Sequence, residues 1–146
     1  MRYFAAFPAA CLALLAWSLA SAAAPLLTAQ DAWIRATPGS DVAAAYLTLH
    51  NTAAQAVSIV AVRCACAQHA MIHETKVSNG QSSMRPREPL LVAPGATLRF
   101  APGGLHIMLQ GLAHPLTPGE DVPLELLLDN GGSLDVRAHV RPLGDG

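Results

Sequence analysis

Four side chains in one stretch have the types and spacing to do metal chemistry. His73 is followed after ten residues by Met84, after twenty-one more by His106, and after one more by Met108. The methionines other than Met1 are Met71, Met84 and Met108, so all three fall in or beside this stretch. Imidazole nitrogen and thioether sulfur form a soft, uncharged donor set, which suits Cu(I) and is poor for Mg, Ca or Mn. Such a set leaves the ion its own positive charge, and a bare charge is costly to bury deeply. The chemistry therefore predicts a site near the surface, holding copper less tightly than a cysteine pair would.

These side chains can act together only if strands bring them to one face. Asn79-Gly80 is a two-residue hairpin signal, because both central residues of such a turn take positive φ. A turn centred there sets Ser78 opposite Gln81, Thr75 opposite Met84 and His73 opposite Pro86. His73 and Met84 then become diagonal neighbours on one face, about 7–8 Å apart and within reach of long side chains. His106 and Met108 stand at i and i+2, so a strand projects both from one face. The site closes if the strand carrying that second pair lies beside the hairpin.

A plainer packing role is open as well. A single histidine on an apolar strand is more commonly packed than ligating, and Met108, within Leu105-His106-Ile107-Met108-Leu109, fits as core filler. Met84 resists that reading, since Gln81-Ser82-Ser83-Met84-Arg85-Pro86-Arg87 offers an apolar side chain no core to join.

The pattern His73-x10-Met84-x21-His106-x-Met108 resembles the signature of the periplasmic copper chaperone family PCu(A)C. The likeness continues through Asp31-Ala-Trp-Ile-Arg-Ala-Thr-Pro-Gly39, Ala44-Ala-Tyr-Leu-Thr-Leu49, Met84-Arg-Pro86, Pro102-Gly-Gly-Leu-His106 and Met108-Leu-Gln-Gly-Leu112, covering roughly residues 30–140. One departure is Thr75, where many members carry another methionine. The resemblance implies a cupredoxin-like β-sandwich and His73, Met84, His106 and Met108 as ligands of Cu(I). It also implies delivery of copper to the binuclear copper site of cytochrome c oxidase, with other periplasmic copper or thiol-redox proteins as further partners.

The first residues carry Arg2, an apolar run and then small residues, the three-part pattern of a cleaved secretory leader. We expect residues 1–23 to be the signal peptide and 24–146 one β-domain, periplasmic and without a membrane span of its own. The apolar run, about Phe4 to Ala20, is short for a ~30 Å bilayer. Cys11 sits too early for a lipid-attachment motif and lacks a leucine three residues before it.

Without Arg2 the chain has eight basic and ten acidic residues, and Lys76 is the one lysine. Nothing basic is clustered, which argues against nucleic acid. No Gly-x-Ser-x-Gly elbow, His-Glu-x-x-His helix or phosphate loop is present, so an enzyme is not expected.

The remainder reads as all-β. Short apolar or alternating runs at 33–35, 43–50, 57–62, 70–75, 90–92, 97–100, 105–109, 122–128 and 134–140 are punctuated by proline and glycine turns. Strands of this length and spacing predict a sandwich or Greek-key barrel. Trp33 and Tyr46 are expected as core aromatics. His50, His114 and His139 are expected at the surface or packed, and a supporting role is open, as the minority reading, to Glu74 and Arg85, which flank ligands.

Cys64 and Cys66 allow two readings. A disulfide across one intervening residue sits near the upper limit of Cα separation if the backbone is extended, so it would be strained and easily reduced. Alternatively Cys64, Cys66, His69, Met71 and His73 could form an auxiliary soft copper site.

Two rival functions share the fold. A blue-copper electron carrier uses two His, one Cys and a weak Met, a set that Cys66-x2-His69-x-Met71 with His50 faintly mimics. A metal-free interaction module would leave the histidines incidental.

Overall fold

Alternation of apolar and polar residues between proline and glycine turns folds the described residues of this chain into ten strands. In the computed structural model, which describes residues 26–144, these are β1 (Leu27–Ala36), β2 (Val42–Asn51), β3 (Val57–Arg63), β4 (Ala67–Ser78), β5 (Gln81–Pro86), β6 (Leu90–Val92), β7 (Thr97–Arg99), β8 (Leu105–Leu112), β9 (Asp121–Leu128) and β10 (Ser133–Arg141). The expected leader, with Cys11, lies outside the described residues. Among the described residues no helix is long and apolar enough to cross a membrane.

The strands form one hydrogen-bonded path in the order β5-β4-β8-β2-β1-β10-β9-β3-β6, with β7 pairing β2 off the path. Tight hairpins such as β4–β5 and β9–β10 alternate with long returns that insert β8 between β4 and β2, as expected of Greek-key connections. β1 and β10 pair in parallel over Trp33–Arg35, and this contact joins the two halves. The path folds over on itself. Ile72, Ile107, Leu109, Leu47 and Ile34 from one half meet Ile59, Val62, Leu124, Leu126 and Val136 from the other in a single core.

The Asn79-Gly80 turn takes φ of 51° and 75°, and the register it sets is the one the sequence predicts: Ser78 pairs Gln81, Thr75 pairs Met84 and His73 pairs Pro86. β1 begins at Leu27, earlier than the apolar run at Trp33, because a bulge at Asp31 (φ 51°) re-phases the strand without ending it.

Gly111 is where β8 needs a glycine. Its φ is +66°, and a Cβ there would stand 2.9 Å from the Gln68 side chain on β4. Gly111→Ala should therefore lower stability by about 1–2 kcal/mol from left-handed strain alone, read as a reduced urea midpoint at unchanged slope.

The turn between β3 and β4 settles the cysteines. Cys64 and Cys66 form a disulfide with Cα atoms 5.1 Å apart. The backbone there is a turn, not an extended strand: the Ala67 amide donates to the Cys64 carbonyl at 3.3 Å. That corrects the expectation of a bridge near its distance limit, since 5.1 Å is well inside the bridging range.

Candidate metal centre

On β4 the side chains alternate between the core and the opposite face. Ile72 is fully buried in the core, so Met71, His73 and Thr75 project the other way. On β8, Ile107 and Leu109 are fully buried, which turns His106 and Met108 outward. The β4–β8 ladder sets His73 directly opposite His106 and Met71 directly opposite Met108. Met84, paired with Thr75 on the far side of β4, joins the same face. The step that the residue pattern left open, β8 lying beside the hairpin, is present.

The histidine rings meet edge to face, their centroids 5.9 Å apart and their planes at 80°. Met84, His106 and Met108 line one cleft of about 330 Å³, with Thr75, Tyr46, Arg35 and Pro102 among its walls. The cleft grades from open to closed: Met84 is 56% exposed, whereas His106 is 4% exposed. None of the three methionines packs against the hydrophobic core cluster, which removes the core-filler reading of Met108.

Nitrogen chemistry marks the centre. His106 Nδ1 lies 3.0 Å from the Gly104 carbonyl oxygen. A carbonyl can only accept, so Nδ1 carries a proton, and in the neutral ring Nε2 then keeps its lone pair. Metal-ligating histidines are held in this way, with the other ring N–H donated to a carbonyl. His106 Nε2 is buried without a hydrogen-bond partner, and so is His73 Nδ1. Leaving a buried acceptor unsatisfied costs about 1–3 kcal/mol. Two such atoms on facing rings, with methionines on the same strand face, are a donor set that a soft cation would satisfy. Among the described residues no three His, Cys, Asp or Glu side chains group to hold a metal ion, so a centre here depends on methionine.

Burial and the neighbouring His106 hold the His73 pKa below its ordinary value, against the opposing pull of Glu88. In the apo protein this depression makes stability depend on pH. Well above the ordinary imidazole pKa both folded and unfolded His73 are neutral. As the pH falls through that value the unfolded chain takes up a proton that folded His73 resists, so stability declines. Urea denaturation between pH 7 and pH 5 should show a steeper loss for the wild-type apo protein than for His73→Asn.

Glu88 was not visible as a support in the sequence. Its carboxylate accepts the Ile72 amide at 2.8 Å, and the Arg87 amide donates to the Ile72 carbonyl at 2.9 Å. The segment after β5 thus folds back and pins β4 between its two ligand-face residues, Met71 and His73. Glu74 and Arg85, for which a supporting role is the minority reading, pair with each other away from the ligand face. Both fall on the other face by alternation, and the Glu74 carboxylate is engaged by Arg87 at 3.4 Å and Lys76 at 3.6 Å. Tyr46 is buried, as expected, at 6% exposure, whereas Trp33 is only half-buried, which corrects its placing in the core. Their rings lie 4.6 Å apart at a 36° tilt beneath Arg35 and Arg141, outside the central hydrophobic cluster, with Tyr46 on the wall of the cleft. His50, His114 and His139 bond to Thr97, the Pro115 carbonyl and Asp121 at 3.1, 3.1 and 2.9 Å, as surface residues do.

The disulfide also removes the rival ligand sets. Cys66 has no free thiolate for a blue-copper loop, and neither cysteine can join His69 and Met71 in an auxiliary site while the bridge is closed.

An all-β sandwich of cupredoxin-like topology, with a histidine–methionine face beside its outer hairpin, is the class these features define. Residues 27–140 match the family model described as "Putative lipoprotein LpqE-like". The chain belongs to that family, which is of the PCu(A)C type. "Putative lipoprotein Lxx21020" of Leifsonia xyli subsp. xyli is 33% identical over 111 residues, which span 75% of this chain and 66%, just under two thirds, of that protein. Among solved structures, Cu(I)-DR1885 of Deinococcus radiodurans is 32% identical, covers 88% of this chain and 87% of its own, and superposes with a TM-score of 0.66. The copper-bound PCuAC domain of PmoF2 is 19% identical, with 80% and 93% coverage and a TM-score of 0.67, a likeness of fold.

Proposed function

We propose that this protein is a Cu(I) carrier of the periplasm, binding one ion with His73, Met84, His106 and Met108 and passing it to cuproprotein targets by ligand exchange. The observation that carries this reading is the pair of buried, unpartnered ring nitrogens on facing histidines, with methionines on the same face and outside the core. Kinship with Cu(I)-DR1885 supports the metal and its oxidation state. The leader pattern of residues 1–23, the Cys64–Cys66 disulfide and the lipoprotein names of relatives support export of the domain from residue 24 onward.

Neutral imidazoles and thioethers hold copper through four uncharged donors, so partner thiolates can displace them one at a time. Met84, the most exposed donor, is the natural first to leave. The recipient we propose is the binuclear copper site of cytochrome c oxidase, carried over from the family resemblance.

Anaerobic Cu(I) titration of the full chain against a chromophoric chelator tests the reading. One equivalent should be retained by wild type, and the Met84→Leu/Met108→Leu double variant should bind at least about tenfold more weakly. Equal retention by both proteins would favour the metal-free interaction module.

A further inference from the structure

We propose that Met71 is a fifth copper donor, completing an inner four-ligand set with His73, His106 and Met108, while Met84 completes an outer one. The inference rests on the copper-carrier reading and adds a second position for the ion within the same face.

Residues directly opposite in an antiparallel ladder have Cβ atoms about 4.5–5.5 Å apart. Met71 is opposite Met108, and His73 is opposite His106, with both pairs on the same face. These four form a two-by-two block of nearest neighbours. Met84 has a different relation to Met108. It pairs with Thr75 on the other side of β4, two strands across and four residues along from Met108. On a flat ladder that is about 10 Å across and about 13 Å along. Curvature lets both line the cleft with His106, Met84 being 56% exposed there, whereas Met71 and His73 are not among the residues lining it.

Met71 is available for the role. It is half-buried, and it is absent from the residues packed on the hydrophobic core. Thr75, the residue that pairs with Met84, is a hydroxyl and no soft donor, so Met71 is the further thioether on β4. The Met108 sulfur accepts the Gln110 side-chain amide at 3.2 Å, which leaves it a second lone pair for a metal.

Two sets sharing His73, His106 and Met108 give the ion a short path. Moving inward, one Cu–S bond to Met84 breaks as one to Met71 forms. No electron or proton moves, and the charge stays constant. The exposed Met84 set receives and surrenders copper, and the Met71 set retains it.

The test uses full chain labelled with methyl-13C methionine, titrated anaerobically with Cu(I), with the Met71, Met84 and Met108 methyl signals assigned through single leucine variants. The expected result is that all three signals shift by one equivalent. Met71→Leu and Met84→Leu should each still bind one equivalent, about tenfold more weakly, and the double variant should lose more than the two single losses combined. A Met71 signal that stays fixed while those of Met84 and Met108 move would overturn the inner set and leave the carrier reading standing. No shift in any signal, with no copper retained, would overturn both. The wild-type spectrum alone decides between these, whatever the variants do to folding.

Discussion

His106→Ala should cost Cu(I) affinity on the order of 100-fold or more while the apo fold persists. Loss of a partner that merely orients a ligand already lowers metal affinity about 10–100-fold, and His106 is proposed to be a ligand itself. Its side chain is buried, its Nδ1 proton is committed to the Gly104 carbonyl, and its Nε2 is bare. Alanine removes that lone pair together with the orienting contact. The fold should tolerate the change, because His106 lies on the outer face of β8 and removal of an unsatisfied buried nitrogen relieves a penalty. Chelator competition reads the affinity, and far-UV circular dichroism with a urea midpoint reads the fold. Unchanged affinity would remove His106 from the site.

The second large effect lies one residue away and has the opposite character. Ile107 is fully buried, sits directly opposite Ile72 across the β4–β8 ladder, and belongs to the central core. Ile107→Ala deletes buried methyl and methylene groups and leaves a cavity, which should cost about 2–5 kcal/mol. Because Ile107 and Ile72 fix the ladder that aligns both histidines, the variant should bind copper more weakly only where it is partly unfolded. Denaturant melts with and without Cu(I) measure this, and bound copper should restore part of the lost midpoint. A cost under about 0.5 kcal/mol would show that the two sheet halves do not pack as described.

How much of this was legible beforehand follows from the range of the interactions involved. The Asn79-Gly80 turn fixes its register through local φ preferences, so the Thr75–Met84 and His73–Pro86 pairs could be counted out from two residues. Alternation placed His106 with Met108, and it also separated Tyr46 from Leu47 and Leu49. The expectation of Trp33 as a core aromatic went wrong by weighing residue type over alternation, whereas Tyr46 is buried as expected, on the cleft side of β2. The adjacency of β8 and β4 lies beyond local rules, because residues 67–78 and 105–112 are distant in sequence and meet only in the ladder that the folded chain forms between them. Glu88 was hidden for a similar reason: its bond to the Ile72 amide needs the chain to fold back after Pro86. The cysteine turn was misjudged as extended, since a one-residue spacing does not announce that the chain reverses there. The burial of His106 was also out of reach, since the residues that share its cleft come from β2 and the 102–103 turn, remote in sequence or in fold.

X-ray absorption at the copper edge of the anaerobically loaded protein tests the central claim most directly. Two nitrogen and two sulfur scatterers around a single Cu(I) are the predicted result. A shell of oxygen and nitrogen alone, with no sulfur at bonding distance, would contradict the histidine–methionine centre on the β5-β4-β8 face.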